Sequence, residues 1–205
     1  MKMLKMMKAG VLLGLLMLTS LSFADGKGYK DLAAVQPTQD PSKVEVIEFF
    51  WYGCPHCYKF EPELEKWAAA LPDNVNFIRQ PAVFSSLWAK HAKAYFTAEG
   101  LGVVDKVHAD FFHAIQVEKK SLTSEADLAD FFVAHGVDKA EFHEVYNSFM
   151  VDTKMRQAKV MGPRYGITGV PAIVVNGKYL VTGRTAGSHQ KMIEVMNQLI
   201  AQESK

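Results

Sequence analysis

The chain has 205 residues, 49% of them hydrophobic and 22% charged, with a formal net charge of +1. That is long enough to bury a core, as one domain or as one domain carrying a large insertion. The near-neutral balance gives no basic surface for nucleic acid, and no repeat or low-complexity tract is present.

Residues 1–24 read as a secretory signal peptide. Lys2, Lys5 and Lys8 form a basic leader, Ala9 to Leu18 is an apolar run of ten residues, and Ser22-Phe23-Ala24 has the small-x-small form of a cleavage site. The alternative, a membrane anchor, needs about 20 apolar residues. No cysteine follows the run to take a lipid. Cleavage after Ala24 would leave a chain starting at Asp25 with 20 basic and 22 acidic residues. No later stretch is long enough to cross a membrane, so the mature protein is expected to be soluble in an oxidising compartment.

Asp25 to Lys43 is polar and reads as an arm, with a short edge strand at Tyr29 to Leu32. Val44 to Tyr52 is rich in β-branched and aromatic residues and reads as a strand buried on both faces. Gly53 ends it, and Cys54-Pro55-His56-Cys57 follows. Cys57, Phe60, Leu64, Trp67, Ala68 and Leu71 then mark one face of a helix. Pro55 suits its first turn and Pro72 stops it. Asn74 to Gln80 reads as a second strand, closing a β-α-β unit.

From Ser85 to about Tyr165 the periodicity is helical. One stripe is Val104, Val107, Phe111, Phe112 and Ile115. Ser124 starts a helix that Gly136 ends, with Leu128, Phe131 and Phe132 inward. Asp138 starts the next, with Phe142, Val145, Tyr146 and Phe149. A last helix is expected from Val151 towards Tyr165, disturbed near Gly162-Pro163. Then Ala172 to Val175 reads as a strand, Asn176-Gly177 as a two-residue hairpin turn, and Lys178 to Thr182 as the partner strand. Ser188 caps a final helix with Met192, Val195, Met196, Leu199 and Ile200 on one face.

The chain holds only two cysteines, three positions apart. A bridge across two intervening residues closes too short a loop to add much stability, so the pair points to chemistry. A strand running into a helix puts Cys54 at the helix N-terminus. Unpaired N–H groups and the helix dipole there favour an anion, and the thiolate is the reactive form of cysteine. Cys54 is therefore expected to be the exposed sulfur that partners attack, and Cys57, one turn further in, the buried sulfur that resolves the mixed disulfide. Half of a zinc site is the competing reading. Zinc needs four ligands, or three plus water, and the other six histidines (His91, His108, His113, His135, His143, His189) show no ligand spacing to the motif. They read as surface or satisfied core residues.

His56, between the cysteines, is placed to donate to the Cys54 thiolate; the plainer reading is an exposed loop residue without a role. Glu48 interrupts the apolar run Val46-Ile47-Glu48-Phe49-Phe50, and a carboxylate in a central strand is costly unless paired. It is a candidate proton acceptor for Cys57, with Arg79 on the neighbouring strand as its partner; otherwise it is a strand-edge residue facing water. In Thr168-Gly169-Val170-Pro171, a proline opening a strand after a glycine turn invites a cis peptide. That would leave the Val170 backbone free to accept an extended substrate segment.

From about Gly26 to Glu203 the chain resembles the disulfide-bond-forming oxidases of the DsbA family. The match is carried by Val46-Ile47-Glu48-Phe49-Phe50, Cys54-Pro55-His56-Cys57-Tyr58, Gly169-Val170-Pro171-Ala172 and Val175-Asn176-Gly177-Lys178-Tyr179. Trp51-Tyr52-Gly53 depart from the familiar form, which bears on groove shape and partner preference. The resemblance implies an α/β thioredoxin fold with a large inserted α-helical subdomain. Residues 25–84 and 166–205 would form the thioredoxin-like domain and residues 85–165 the insert.

It further implies an enzyme that introduces disulfides into exported proteins through Cys54 and Cys57, with Pro55, His56 and Glu48 assisting. Val170 and a cis Pro171 would face the substrate. No metal and no cofactor beyond the redox-active disulfide are expected. A quinone-linked membrane oxidase of the DsbB type would reoxidise a periplasmic monomer. The nearest alternative is a reductase or isomerase of the same fold, against which stands the short segment Asp25 to Lys43 where isomerases carry a dimerisation domain. A peptide-binding chaperone module is the other alternative, and it leaves the reactive pair unexplained.

Overall fold

The computed structural model describes residues 26–204; the expected leader and its cleavage after Ala24 lie outside them. The elements are β1 (Lys30–Asp31), β2 (Val44–Phe50), α1 (Pro55–Ala68) and β3 (Val75–Pro81), then five helices, α2 (Ser86–Gly100), α3 (Val104–Gln116), α4 (Glu125–Ala134), α5 (Lys139–Tyr146) and α6 (Phe149–Arg164). The chain returns to the sheet with β4 (Ala172–Val175) and β5 (Tyr179–Thr182), and ends with α7 (Gly183–Ala186) and α8 (His189–Glu203). Among the described residues no helix is long and apolar enough to cross a membrane.

The sheet runs β1-β5-β4-β2-β3. β2 lies parallel to β3 and antiparallel to β4, and β5 is antiparallel to both β4 and β1. Every residue of β2 is buried, which is why its sequence lacks the alternation of a half-exposed strand. Successive side chains still point to opposite faces. Val44 and Val46 pack with Phe60 and Leu64 of α1 and with Met192 and Met196 of α8. Ile47 and Phe49 pack with Tyr165, Ile167 and Val174 on the other face. Glu48 shares the α1 face with Val46, and the parallel register sets it opposite Arg79 of β3.

The five-helix segment between β3 and β4 has its own aromatic core of Phe111, Phe112, Phe132 and Phe142. Cys54, Cys57, Phe50 and Tyr52 belong to that same cluster, so the cysteine pair sits where the sheet meets the helical segment. The N-caps at Ser124, Asp138 and Ser188 accept backbone N–H donors as their residue types dictate.

Several boundaries differ from the sequence expectation. β2 ends at Phe50 rather than Tyr52, because Ala82 N–H to Phe50 O is its last ladder bond. Trp51 O then accepts from Cys54 N–H in a turn. α1 stops at Ala68, which leaves Leu71 beyond the helical face. α6 begins at Phe149 behind Ser148 as cap and runs unbroken through Gly162-Pro163. The proline costs little there because the helix ends one residue later, where Tyr165 N–H still reaches Met161 O. α7 was not expected; Thr182 and Thr185 form a reciprocal capping box that starts it.

The Asn176-Gly177 hairpin has both residues at positive φ, 50° and 63°, as a type I′ turn requires. A Cβ on Gly177 would also strike the carbonyl of Gln36, which lies close because Gln36 N–H donates to Gly177 O. Gly177→Ala is therefore expected to cost at least about 1–2 kcal/mol from the left-handed backbone alone. The urea midpoint checks this, and an unchanged midpoint would contradict it.

Candidate functional site

The site is built at the junction of β2 and α1. Cys54 is the N-cap of α1, with φ −89° and ψ 114°, and Pro55 follows at its first helical position. Proline loses nothing there because that N–H has no helical partner. Cys57 N–H donates to Cys54 Sγ at 3.4 Å. Both cysteines are free thiols. Cys54 retains 8% exposure and Cys57 none, while Pro55 and His56 are exposed.

This placement separates the two sulfurs chemically. The Cys54 thiol is lowered from the ordinary 9.0 to about 6, first by hydrogen bonding from the Cys57 thiol. Burial opposes that, and the backbone N–H groups of Cys57 and His56 assist. The charge of His56 is the smallest of the named contributions, so the backbone of the Cys-Pro-His-Cys turn acts more than the imidazole does. Cys57 goes the other way: burial pushes its thiol well above the ordinary value, and the neighbouring Cys54 and Glu48 charges add to it.

A depressed thiol makes the reduced protein more stable as pH rises. The contribution is complete above the ordinary value of 9.0 and is lost as pH falls through about 6. Across the whole range it amounts to about 4 kcal/mol, of which about 1.4 is present at pH 7. Thiolate absorbance near 240 nm is expected to titrate with a midpoint of about 6. A midpoint above about 8, within the range of a free cysteine, would contradict the geometry.

On one side of the pair, a cleft of about 710 Å³ is lined by His56, Thr168, Val170, Pro171, Arg184 and His189 among others. The Val170–Pro171 peptide is cis. Cys54 Sγ–H donates to Val170 O at 3.4 Å. Among the described residues Val170 has no backbone hydrogen-bond partner, and its carbonyl accepts only from Cys54 Sγ.

Behind Cys57 lies a buried ionic cluster. Arg79 Nη2 donates to Glu61 Oε1 at 3.0 Å and to Glu65 Oε1 at 2.5 Å, and its Nε lies 3.5 Å from Glu48 Oε2. Glu48 is fully buried, Glu61 is 5% exposed, and neither Glu48 oxygen has a hydrogen bond among the described groups. Burial pushes the Glu48 carboxyl well above the usual carboxylate range, and the Glu61 charge adds to this against the pull of Arg79. Burial also pushes Glu61 up, but His108 and Arg79 outweigh it and hold Glu61 below the usual range. Glu61 Oε1 faces His108 Nε2 at 3.3 Å, and His108 Nδ1 meets the Tyr52 hydroxyl at 2.7 Å.

The structure thus brings together Cys54, Cys57, Glu48 and Arg79, and sets His56, Val170 and Pro171 on the cleft. Sequence reasoning missed Glu61, His108 and Tyr52 as members of the cluster. Glu61 was legible in principle: it lies four residues after Cys57 on the buried face of α1, an acid inside an apolar stripe. His108 occupies a helical position between Val107 and Phe111 in the same way. His91 is also buried; it accepts from Trp51 Nε1 at 3.1 Å and lies against Ser121 O at 3.0 Å. The Trp51 ring stacks on Trp88 with centroids 4.3 Å apart.

Residues 76–189 match the family model described as a DSBA-like thioredoxin domain, a span that begins after the cysteine pair. The chain is 46% identical over 178 residues to the thiol:disulfide interchange protein DsbA of Pseudomonas syringae pv. tomato, covering 87% of this chain and 83% of that one. It is 42% identical to the protein of the same name from Pseudomonas aeruginosa, over 88% of this chain and 86% of that one. Among solved structures, Pseudomonas aeruginosa DsbA superposes with a TM-score of 0.83 at 43% identity, over 87% of this chain and 93% of that one. The oxidoreductase DsbA from Xylella fastidiosa does so with a TM-score of 0.79 at 31% identity, over 85% and 94% of the two chains.

Proposed function

The chain belongs to the DsbA family of thioredoxin-fold, disulfide-introducing oxidoreductases, and from that premise we propose that Cys54 and Cys57 are its redox-active pair and that it needs no other cofactor. The observation that carries this reading is the contrast between the two sulfurs. One is a helix-capping thiol lowered to about 6, and the other is a fully buried thiol raised well above the ordinary range. A thiolate stabilised in the reduced form makes the disulfide form the better electron acceptor.

A substrate thiolate attacks Cys54 Sγ of the oxidised pair. The Cys54–Cys57 bond breaks and Cys57 leaves with the electron pair, taking the proton of the Glu48 carboxyl. A second substrate thiolate then attacks the substrate sulfur of the mixed disulfide, and Cys54 departs as a thiolate. Two electrons pass from substrate to enzyme. Of the two substrate protons, one replaces that of Glu48 and the other goes to water. In the reverse direction Glu48 accepts the proton that Cys57 must lose to resolve a mixed disulfide. His56 supports the Cys54 thiolate through its backbone N–H. The unpaired backbone of Val170, next to Pro171, suits an extended substrate segment.

The clients are exported proteins with cysteine pairs, met in the periplasm, to which residues 1–24 direct the chain before cleavage after Ala24. A quinone-linked membrane oxidase of the DsbB type restores the disulfide, and the protein works as a monomer. Residues 25–84 and 166–205 form the thioredoxin-like domain and residues 85–165 the inserted subdomain. A direct test supplies the protein in its disulfide form with quinone-containing inner membranes and a dithiol peptide in excess. Catalytic turnover is expected. Oxidation that stops after one equivalent would remove the membrane partner from the account, and no oxidation at all from the disulfide form would remove the activity of this pair.

A further inference from the structure

Two buried carboxyls, Glu48 and Glu61, share the single guanidinium of Arg79, and Arg79 is also drawn outward by Glu65, which is exposed. Such an arrangement leaves the division of charge open unless another donor fixes it. His108 is the group placed to do so: its Nε2 lies 3.3 Å from Glu61 Oε1, close enough to pair but not aligned as a formed hydrogen bond. It is 3% exposed and caged by Phe50 and Phe112, each with centroids 5.2 Å from its ring.

The partners of His108 set its tautomer. Glu61 is held below the usual range and so presents a carboxylate, which only accepts, to Nε2 at 3.3 Å. Nε2 therefore carries a hydrogen on that side, and Nδ1 pairs with the Tyr52 hydroxyl at 2.7 Å. Tyr52 is in turn fixed through its carbonyl, which accepts from Gln116 Nε2 at 2.8 Å. The titratable groups facing the imidazole are Tyr52 from the turn before α1, Glu61 from α1 and Tyr95 from α2. Arg79 and Glu48 stand behind Glu61.

We propose that His108, oriented by Tyr52, is a positioning residue for the proton chemistry of Cys57: it holds Glu61 as the carboxylate that engages Arg79, so that Glu48 keeps its proton until Cys57 calls for it. The inference rests on the reading of Glu48 as the proton partner of Cys57. Without His108, Glu61 loses a donor and takes up a proton more readily. Its negative charge then no longer opposes the ionisation of Glu48, and Arg79 is freed to turn towards Glu48. Both changes have the same sign and let Glu48 ionise at lower pH.

The test is the pH dependence of mixed-disulfide resolution by Cys57, followed in single turnover after reaction of the reduced protein with glutathione disulfide. In His108→Phe the acidic limb of the profile is expected to move to lower pH by about one unit. That is about the tenfold effect of losing one close polar neighbour of a charged group. The Cys54 thiolate titration should stay in place, which a general loosening of the fold would not allow. His108→Gln retains a donor towards Glu61 and is expected to restore most of the wild-type profile. Tyr52→Phe, which only removes the orienting hydroxyl, should move the limb in the same direction by a smaller amount, and it carries the test if His108→Phe does not fold.

An unmoved limb in both His108→Phe and Tyr52→Phe would overturn the inference. Glu48→Gln separates the two levels. If it abolishes the limb while the His108 and Tyr52 variants do not shift it, only the role of His108 is lost. If Glu48→Gln leaves the limb intact, the reading of Glu48 itself fails.

Discussion

Replacing Cys54 by serine is expected to abolish disulfide donation, with a loss of at least about 10³-fold in the rate of peptide oxidation, the scale on which a covalent catalyst depends on its nucleophile. A hydroxyl cannot form the bond that the substrate thiolate attacks, and the helix N-terminus that stabilises a thiolate has no sulfur to act on. Cys57→Ser should behave differently. Cys54 remains at the N-cap with its backbone donors, so the variant should still form a mixed disulfide with a substrate once oxidised reagents are supplied. It should then accumulate that species because no second sulfur resolves it. Trapped adducts in Cys57→Ser and none in Cys54→Ser, seen by mass spectrometry of the intact protein, would assign the two roles. Peptide oxidation by Cys54→Ser within tenfold of the parent would remove Cys54 from the mechanism.

The second large effect is on stability. Arg79→Met should cost about 3–5 kcal/mol near pH 7, the loss that follows when one partner of a buried ion pair is removed and the other is left behind. Here two carboxyls are left behind, Glu48 with no exposure and Glu61 with 5%. The pH dependence has a definite sign. Glu61 is held ionised in the parent by His108 and Arg79, so its pairing contributes stability above the ordinary carboxylate value that is lost as pH falls through its depressed one. Removing Arg79 weakens that hold, and the penalty should therefore be largest at neutral pH and shrink as the carboxyls protonate. Adding Glu61→Leu to Arg79→Met should recover part of the loss by removing a buried charge. Urea unfolding at pH 7 and pH 4.5 reads both effects. A cost below about 1 kcal/mol at pH 7 would mean that the cluster is solvated well enough not to need its guanidinium.

Much of this site was legible before the structure, for identifiable reasons. The Cys-Pro-His-Cys turn sits between a largely apolar, fully buried strand and an amphipathic helix, and local backbone preferences alone put Cys54 at a helix N-terminus. Glu48 announced itself by breaking an apolar run, and the parallel register that sets it beside Arg79 follows from the short β-α-β connection. What the sequence hid were residues whose neighbours are distant in the chain. Glu61 looked like one of several helix acids, and only the packing of α3 against α1 brings His108 to it from 47 positions away. The bond between Tyr52 and His108 spans 56 positions. Local periodicity can say that such residues face inward, but it cannot say which polar group they meet.

The boundary differences have the same origin. Tyr52 has the β propensity of a strand residue, yet the core of the helical segment takes its ring, which packs on Phe111 with centroids 4.4 Å apart. The chain therefore leaves the sheet at Phe50. Pro163 reads as a helix breaker, but at the penultimate residue of α6 the bond it forgoes is one of the last available. In both cases tertiary packing or position within the element outweighs an intrinsic preference.

The most direct test of the account is the reduction potential of the Cys54–Cys57 pair at pH 7, measured by equilibrium with glutathione buffers and read by the fluorescence of Trp51, which lies three residues before Cys54. Disulfides in folded secreted proteins have potentials below about −300 mV, and thioredoxin, a reductant, lies at about −270 mV. A donor must stand well above its clients. A midpoint less negative than about −200 mV is therefore expected, with the Cys54 thiolate supplying about 30 mV of the difference at pH 7. A value at or below about −270 mV would contradict it, because the same pair would then draw disulfides out of its partners instead of giving them.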